Sequence, residues 1–176
     1  MRKTLFESLT RGILTEPPPT RDEAAVAELA KKLDRAARAK LGRSLSIRQI
    51  DAGSCNACEL EIHALNNAFH DLERFGLRFV ASPRHADVLM VTGPVTKNMR
   101  EALKRTYDAT PDPKWVVAIG DCALNGGIFR DSYAVVGGVH NVIPVDLHIK
   151  GCPPSPRDIL RGLLALLDHV SGKSVG

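Results

Sequence analysis

Trp115-Val116-Val117-Ala118-Ile119-Gly120-Asp121-Cys122 is the stretch on which the fold turns. Five apolar residues run without alternation, a glycine follows, and a cysteine stands two residues beyond it. A strand buried on both faces reads this way, because helices covering both sides of a parallel sheet leave no face for water. Asp87–Thr92 has the same character. Working outward, strands are expected at Leu45–Ile50, Leu77–Ala81, Asp87–Thr92, Trp115–Gly120 and Val142–Ile149, with helices at Cys58–Phe75, Thr96–Thr106 and Ser155–Val170. The order β-α-β-β-α-β-β-α, joined by short connections, predicts a doubly wound α/β domain with a mostly parallel sheet.

Residues 1–44 read differently, as a helical N-terminal arm, which leaves 45–176 for the α/β domain. Leu5, Phe6, Leu9, Ile13 and Leu14 share a helical stripe within Thr4–Leu14, and Glu16-Pro17-Pro18-Pro19 then imposes an extended connector. Thr20 with Glu23 three residues on is a capping-box pattern. Val26, Leu29, Leu33, Ala37 and Leu41 follow at spacings of three and four until Gly42 stops the helix. Two apolar stripes and a stiff hinge suit docking on a neighbour, while packing on its own domain is an equal reading for the second helix.

Hydrophobic residues at 44% and charged residues at 25% belong to a soluble globular chain. No apolar run approaches the roughly 18–20 residues of a membrane span. Arg2 and Lys3 are not followed by a signal-peptide apolar region, so the expected address is cytoplasmic, with any membrane contact made through partners. Residues 1–45 hold ten Lys and Arg against six Asp and Glu, whereas 46–176 hold fourteen of each, so the net charge of +4 sits on the arm. Scattered charge with few aromatics argues against nucleic acid as partner, and a basic arm docking on protein or anionic headgroups fits better.

The four cysteines carry the functional argument. Without export signals they are not expected to form structural disulfides, and metal binding leads. Cys55 and Cys58 follow the first strand in Gly53-Ser54-Cys55-Asn56-Ala57-Cys58, Cys122 follows Gly120-Asp121, and Cys152 opens Cys152-Pro153-Pro154 after the last strand. Each therefore follows the carboxyl end of a parallel strand, and those ends share the edge where open α/β sheets build ligand sites. Glycines beside them allow close approach to a bulky inorganic core. Four thiolates suit a cubane iron–sulfur cluster, and Cys-Pro recurs at such ligands. Zinc also takes four cysteines, but its sites usually pair two short Cys-x-x-Cys knuckles and only one is present here. A thioredoxin-like motif would leave Cys122 and Cys152 unexplained. Spacing alone thus favours iron–sulfur and leaves zinc, or unrelated buried cysteines, open.

At these residues the sequence resembles a known family. Gly53-Ser54-Cys55-Asn56-Ala57-Cys58-Glu59-Leu60-Glu61, Ser82-Pro83-Arg84-His85-Ala86-Asp87, Val91-Thr92-Gly93-Pro94-Val95-Thr96, Gly126-Gly127-Ile128-Phe129 and Gly151-Cys152-Pro153-Pro154 occur in the order found in the 20 kDa iron–sulfur subunit of complex I and in small subunits of membrane-bound energy-converting nickel–iron hydrogenases. The resemblance covers roughly 45–170. It implies a flavodoxin-like domain holding one 4Fe–4S cluster on Cys55, Cys58, Cys122 and Cys152. In complex I relatives the first two cysteines are adjacent; the Asn56-Ala57 spacer here resembles the formate hydrogenlyase and hydrogenase-4 type. The absence of a twin-arginine signal separates the chain from periplasmic uptake hydrogenases.

The resemblance further implies an electron-transfer role without a complete active site. Partners would be a catalytic large subunit, a ferredoxin-like iron–sulfur subunit and integral membrane ion-translocating subunits, at the cytoplasmic face of the inner membrane. The 20 kDa subunit of an NADH–quinone oxidoreductase is the alternative within that class, and a zinc-stabilised non-redox binding domain the alternative outside it. Glu61, in the Cys-x-x-Cys-x-x-Glu motif, is the proton-relay candidate, against the plainer role of a carboxylate stabilised at a helix N-terminus. Asp121 departs from the small or hydroxyl residue usual beside Cys122. A carboxylate there is expected to lower the cluster's potential unless it is paired. Arg84 and His85 are expected to pair structurally with Asp87. His63 is placed on the helix surface, and His70, His140, His148 and His169 receive no metal role. No nucleotide-binding glycine fingerprint, phosphate loop or Ser-His-Asp arrangement is present.

Overall fold

The computed structural model describes residues 23–170 together with Thr10. The expected helix Thr4–Leu14 (Thr10 apart), the proline connector and the Thr20 cap lie outside the described residues. Twelve elements follow one another: α1 (Glu23–Leu41), β1 (Ser46–Asp51), α2 (Ala57–Ala64), β2 (Arg78–Phe79), β3 (Val88–Thr92), β4 (Val95–Thr96), α3 (Arg100–Ala109), β5 (Trp115–Ile119), α4 (Asp121–Asn125), β6 (Val135–Gly137), β7 (Leu147–Ile149) and α5 (Pro156–Val170).

The main sheet is parallel throughout, in the order β2-β1-β3-β5-β7. Counting its five strands along the chain gives 2-1-3-4-5, the flavodoxin-like order with its switch point between β1 and β3. Successive residues of a strand point to opposite faces, and both faces here are apolar. Ile47, Val88, Met90, Val117 and Ile119 pack with residues of α1, α2 and α5. Ile50, Leu89, Val91, Val116 and Ala118 pack with Leu103 of α3, Val139 and Ile143. The unbroken apolar runs of β3 and β5 are the cause: each strand feeds two cores.

The stripe Val26, Ala30, Leu33 and Ala37 of α1 is buried, and the helix packs on α5, whose Ile159, Leu160, Leu163, Leu166 and Leu167 are also buried. Each fully buried leucine or isoleucine contributes about 1.5–3 kcal/mol relative to an exposed one. The first and last described helices thus lie side by side over one face of the sheet.

Several elements differ from the sequence prediction: the strand expected over Leu77–Ala81 shrinks to Arg78–Phe79, and the short strands β4 and β6 were not foreseen. The helix expected over Cys58–Phe75 stops at Ala64, because Asn67 Oδ1 accepts the N–H groups of Phe69 and His70, both at 2.9 Å, and turns the chain before a short 3-10 segment at Leu72–Phe75. Thr96 is a strand residue rather than a helix start; β4 pairs with β6 in a small antiparallel ladder, and the helix begins at Arg100. The strand expected over Val142–Ile149 shrinks to three residues. Pro144 has no N–H to donate, and Asp146 occupies the ladder with its carboxylate, Oδ2 accepting the Val116 N–H at 2.7 Å. The short helix α4 was not foreseen.

Asp87 corrects a further expectation. Its carboxylate meets Arg43, not Arg84 or His85, with Nη2 to Oδ1 at 2.6 Å and Nη1 to Oδ2 at 3.2 Å, and it accepts the Ser46 N–H at 2.9 Å. Arg84 and His85 lie exposed in the 3-10 turn Pro83–His85.

Candidate functional site

The site starts where β1 ends. Asp51 Oδ1 accepts the N–H groups of Gly53 and Ser54, each at 2.8 Å, and this turn carries the chain over the sheet edge. Ser54 Oγ then accepts the Asn56 N–H at 3.1 Å. Asn56 takes a left-handed conformation, φ +72°, which asparagine tolerates better than most residues. The spacer thereby reverses direction between Cys55, which is exposed, and Cys58, which is buried on the first turn of α2.

Cys122 arrives from β5 through Gly120. A β-carbon on Gly120 would stand 2.8 Å from Cys58 Sγ and 3.2 Å from the Gly151 carbonyl oxygen, so three chain segments meet at that glycine. His148 Nε2–H donates to the Gly120 carbonyl at 3.0 Å, and the Gly120 N–H to the Ile149 carbonyl at 2.8 Å. Gly127 wraps over the other side of Cys122, and the Ile128 backbone N–H donates to the Cys122 sulfur. Cys152 is exposed in the loop after β7, with the Asp121 N–H donating to the Gly151 carbonyl at 2.9 Å.

These turns bring all four cysteines together: Cys55, Cys58, Cys122 and Cys152 line a single cavity with Gly93, Asp121 and Pro153. The cavity sits outside the carboxyl ends of the strands, at the edge where the chain reverses its winding. All four are free thiols. Cys58 is pushed up to about 12, first by burial, then by Glu59 and by Cys55, Cys122 and Cys152. Cys122 is raised by burial and by the neighbouring Cys152 and Cys55, against the Ile128 N–H, which favours the thiolate. Cys58 and Cys122 thus resist ionisation unaided. A bound metal supplies the missing positive charge and deprotonates its thiol ligands outright.

The donor set therefore fits a thiolate-ligated metal group. Among the described residues, no three His, Cys, Asp or Glu side chains are grouped to hold one ion. Four cysteine side chains are a donor set that zinc also accepts. The same four thiols are the number a cubane iron–sulfur core takes.

Glu61 stands apart from the cavity lining: it is half-buried on α2 and acts electrostatically on His70. His63 is exposed, as expected for the helix surface. Sequence reasoning missed Glu59. It is 5% exposed, adjacent to Cys58, and neither carboxylate oxygen has a hydrogen-bond partner among the described residues. The bond from His148 to Gly120 was also missed. Around the site Leu60, Leu124, Ile128 and Phe129 are large exposed apolar side chains, Ile128 at 85%.

Residues 55–166 match the family described as the NADH ubiquinone oxidoreductase 20 kDa subunit. The chain is 43% identical over 156 residues to formate hydrogenlyase subunit 7 of Escherichia coli (strain K12), covering 89% of this chain and 59% of that protein. It is 45% identical over 131 residues to the probable membrane-bound hydrogenase subunit mbhJ of Pyrococcus furiosus, covering 74% and 78%. Identity to an NADH-quinone oxidoreductase subunit of Citrifermentans bemidjiense is 48% over 125 residues, covering 68% and 73%. The chain thus spans less than two thirds of the length of the first relative. A chain in the structure of the membrane-bound sulfane sulfur reductase, an archaeal respiratory membrane complex, shares the fold with a TM-score of 0.67 and 34% identity, over 82% of this chain and 77% of that one. Among the described residues no helix is long and apolar enough to cross a membrane.

Proposed function

The chain belongs to the NADH ubiquinone oxidoreductase 20 kDa subunit family, and from that premise we propose that it is an electron-transfer subunit holding one 4Fe–4S cluster on Cys55, Cys58, Cys122 and Cys152. The observation that carries this reading is the single cavity lined by four free thiols delivered from three separate strand ends. A bound cubane cluster supplies a one-electron store whose potential depends on net charge and on hydrogen bonds to its sulfurs. The chain's own residues do the holding: Ile128 N–H donates to the Cys122 sulfur, and Asp51 and Ser54 shape the turn that presents Cys55.

The host is a membrane-associated, energy-converting hydrogenase-like complex. Two hydrogenase-complex relatives and the Asn56-Ala57 spacer support that branch. The 48% identity to an NADH-quinone oxidoreductase relative supports the second reading, the same electron-transfer task in complex I. In either host the chain lacks a complete active site and passes electrons between a ferredoxin-like subunit and a catalytic large subunit. Integral membrane ion-translocating subunits hold the assembly at the cytoplasmic face of the inner membrane. Exposed Leu60, Ile128 and Phe129, close in sequence to Cys58 and Cys122, suit docking of the large subunit. The apolar stripe of α1 packs on α5, so a second attachment through the N-terminal arm would use its charged face. Glu61 is the proton carrier of this reading, a role that ends if Glu61→Gln leaves proton-coupled turnover unchanged.

Anaerobic purification of the complex tests the central claim. The expected preparation is brown and shows, on reduction, one paramagnetic signal beyond those of the partner subunits' clusters; Cys152→Ala removes that signal together with about four iron atoms per copy of this chain. A colourless protein with stoichiometric zinc defeats the proposal.

A further inference from the structure

We propose that Asp121 is a positioning residue whose carboxylate clasps the loop of Cys152 to that of Cys122. The inference rests on the cluster reading above and deepens it. The parallel ladder between β5 and β7 has Ile119 opposite Ile149 as its last pair. The Gly120 N–H still reaches the Ile149 carbonyl at 2.8 Å, after which both chains leave the sheet to deliver their cysteines. Asp121 carries the pairing past that point. Its N–H donates to the Gly151 carbonyl at 2.9 Å, and its Oδ1 accepts the Gly151 N–H at 3.1 Å. The two bonds form a reciprocal pair between the residues immediately preceding Cys122 and Cys152.

Such a device answers a geometric need. Cys152 is exposed, and the two prolines that follow it have no N–H with which to tie the loop down. A side-chain acceptor beyond the sheet supplies what the backbone ladder no longer can. The role proposed is thus geometric, and it distinguishes two substitutions. Asp121→Asn removes the charge but keeps an oxygen able to accept the Gly151 N–H; Asp121→Ala removes both.

The assembled complex is purified with each variant and challenged with an iron chelator, following loss of the paramagnetic signal that Cys152→Ala abolishes. Asp121→Ala is expected to release iron about tenfold faster than wild type, the change for losing one charge-assisted hydrogen bond, and Asp121→Asn, which keeps a neutral acceptor, about threefold faster. Amide exchange of the 147–155 segment is measured on the same samples. The Gly151 N–H is expected to stay protected in Asp121→Asn and to exchange faster in Asp121→Ala, while the segment 115–119 is unchanged in both. Equal lability of the two variants, or an Asp121→Ala complex as durable as wild type, overturns the clasp. A wild-type complex without a cluster defeats the functional proposal instead, and the exchange measurement still decides whether Asp121 holds Gly151.

Discussion

A β-carbon placed on Gly127 would stand 2.6 Å from the sulfur of Cys122 and 3.1 Å from its Cα. The residue also adopts φ +53°, a conformation costly for other residues. Gly127→Ala must therefore either displace the thiol or strain the backbone, at about 1–3 kcal/mol. The expected outcome is a lower iron content per chain and a lower melting temperature. Full iron with an unchanged melting temperature refutes the close approach.

Removing Asp87 should cost more than removing its partner. The carboxylate is 4% exposed and serves both Arg43 and the buried Ser46 N–H, whereas the Arg43 side chain is more than half exposed. Asp87→Ala strands a buried donor and is expected to destabilise by about 2–4 kcal/mol. Arg43→Ala loses mainly a solvent-screened contact, about 1 kcal/mol or less. Urea denaturation of both variants measures the order, and a larger loss for Arg43→Ala contradicts it.

His70 gives the fold a pH dependence of definite sign. Burial lowers its pKa from the ordinary histidine value, partly opposed by the Ala64 carbonyl, which faces Nδ1 at 3.0 Å, and by Glu61. On acidification the unfolded chain binds its proton first, near pH 6.5. The stability is therefore whole above that value and declines as pH falls through the lower folded-state value. Melting temperatures taken at about pH 7.5 and about pH 5.5 should fall further in wild type than in His70→Asn. Equal declines in the two proteins exclude the effect.

The parts of the fold that were legible are those set by local pattern. Val88–Val91 and Val116–Ile119 announce buried parallel strands because both their faces are apolar, and the four cysteines were placed at one rim because each follows such a strand. Side chains that substitute for backbone were not legible. Asn67 ends α2 early, Asp146 shortens β7 and Asp121 bonds to Gly151, each by a contact that exists only once the chain has folded back. Asp87 shows the same limit. Its neighbours Arg84 and His85 were the obvious partners, yet tertiary register brings Arg43 from 44 residues away. Glu59 escaped notice for another reason: a glutamate at a helix start usually faces water, and only the packed sheet shows this one enclosed.

The wide sequence separation of the thiols orders events during synthesis. Cys55 and Cys58 leave the ribosome long before Cys152, which follows the last strand of the sheet. A nascent chain halted after β5 and α4 offers three sulfurs and no closed ring. If the chain holds the proposed cluster, whatever delivers iron and sulfide must act on a polypeptide already wound through all five parallel strands, and insertion comes late in biogenesis.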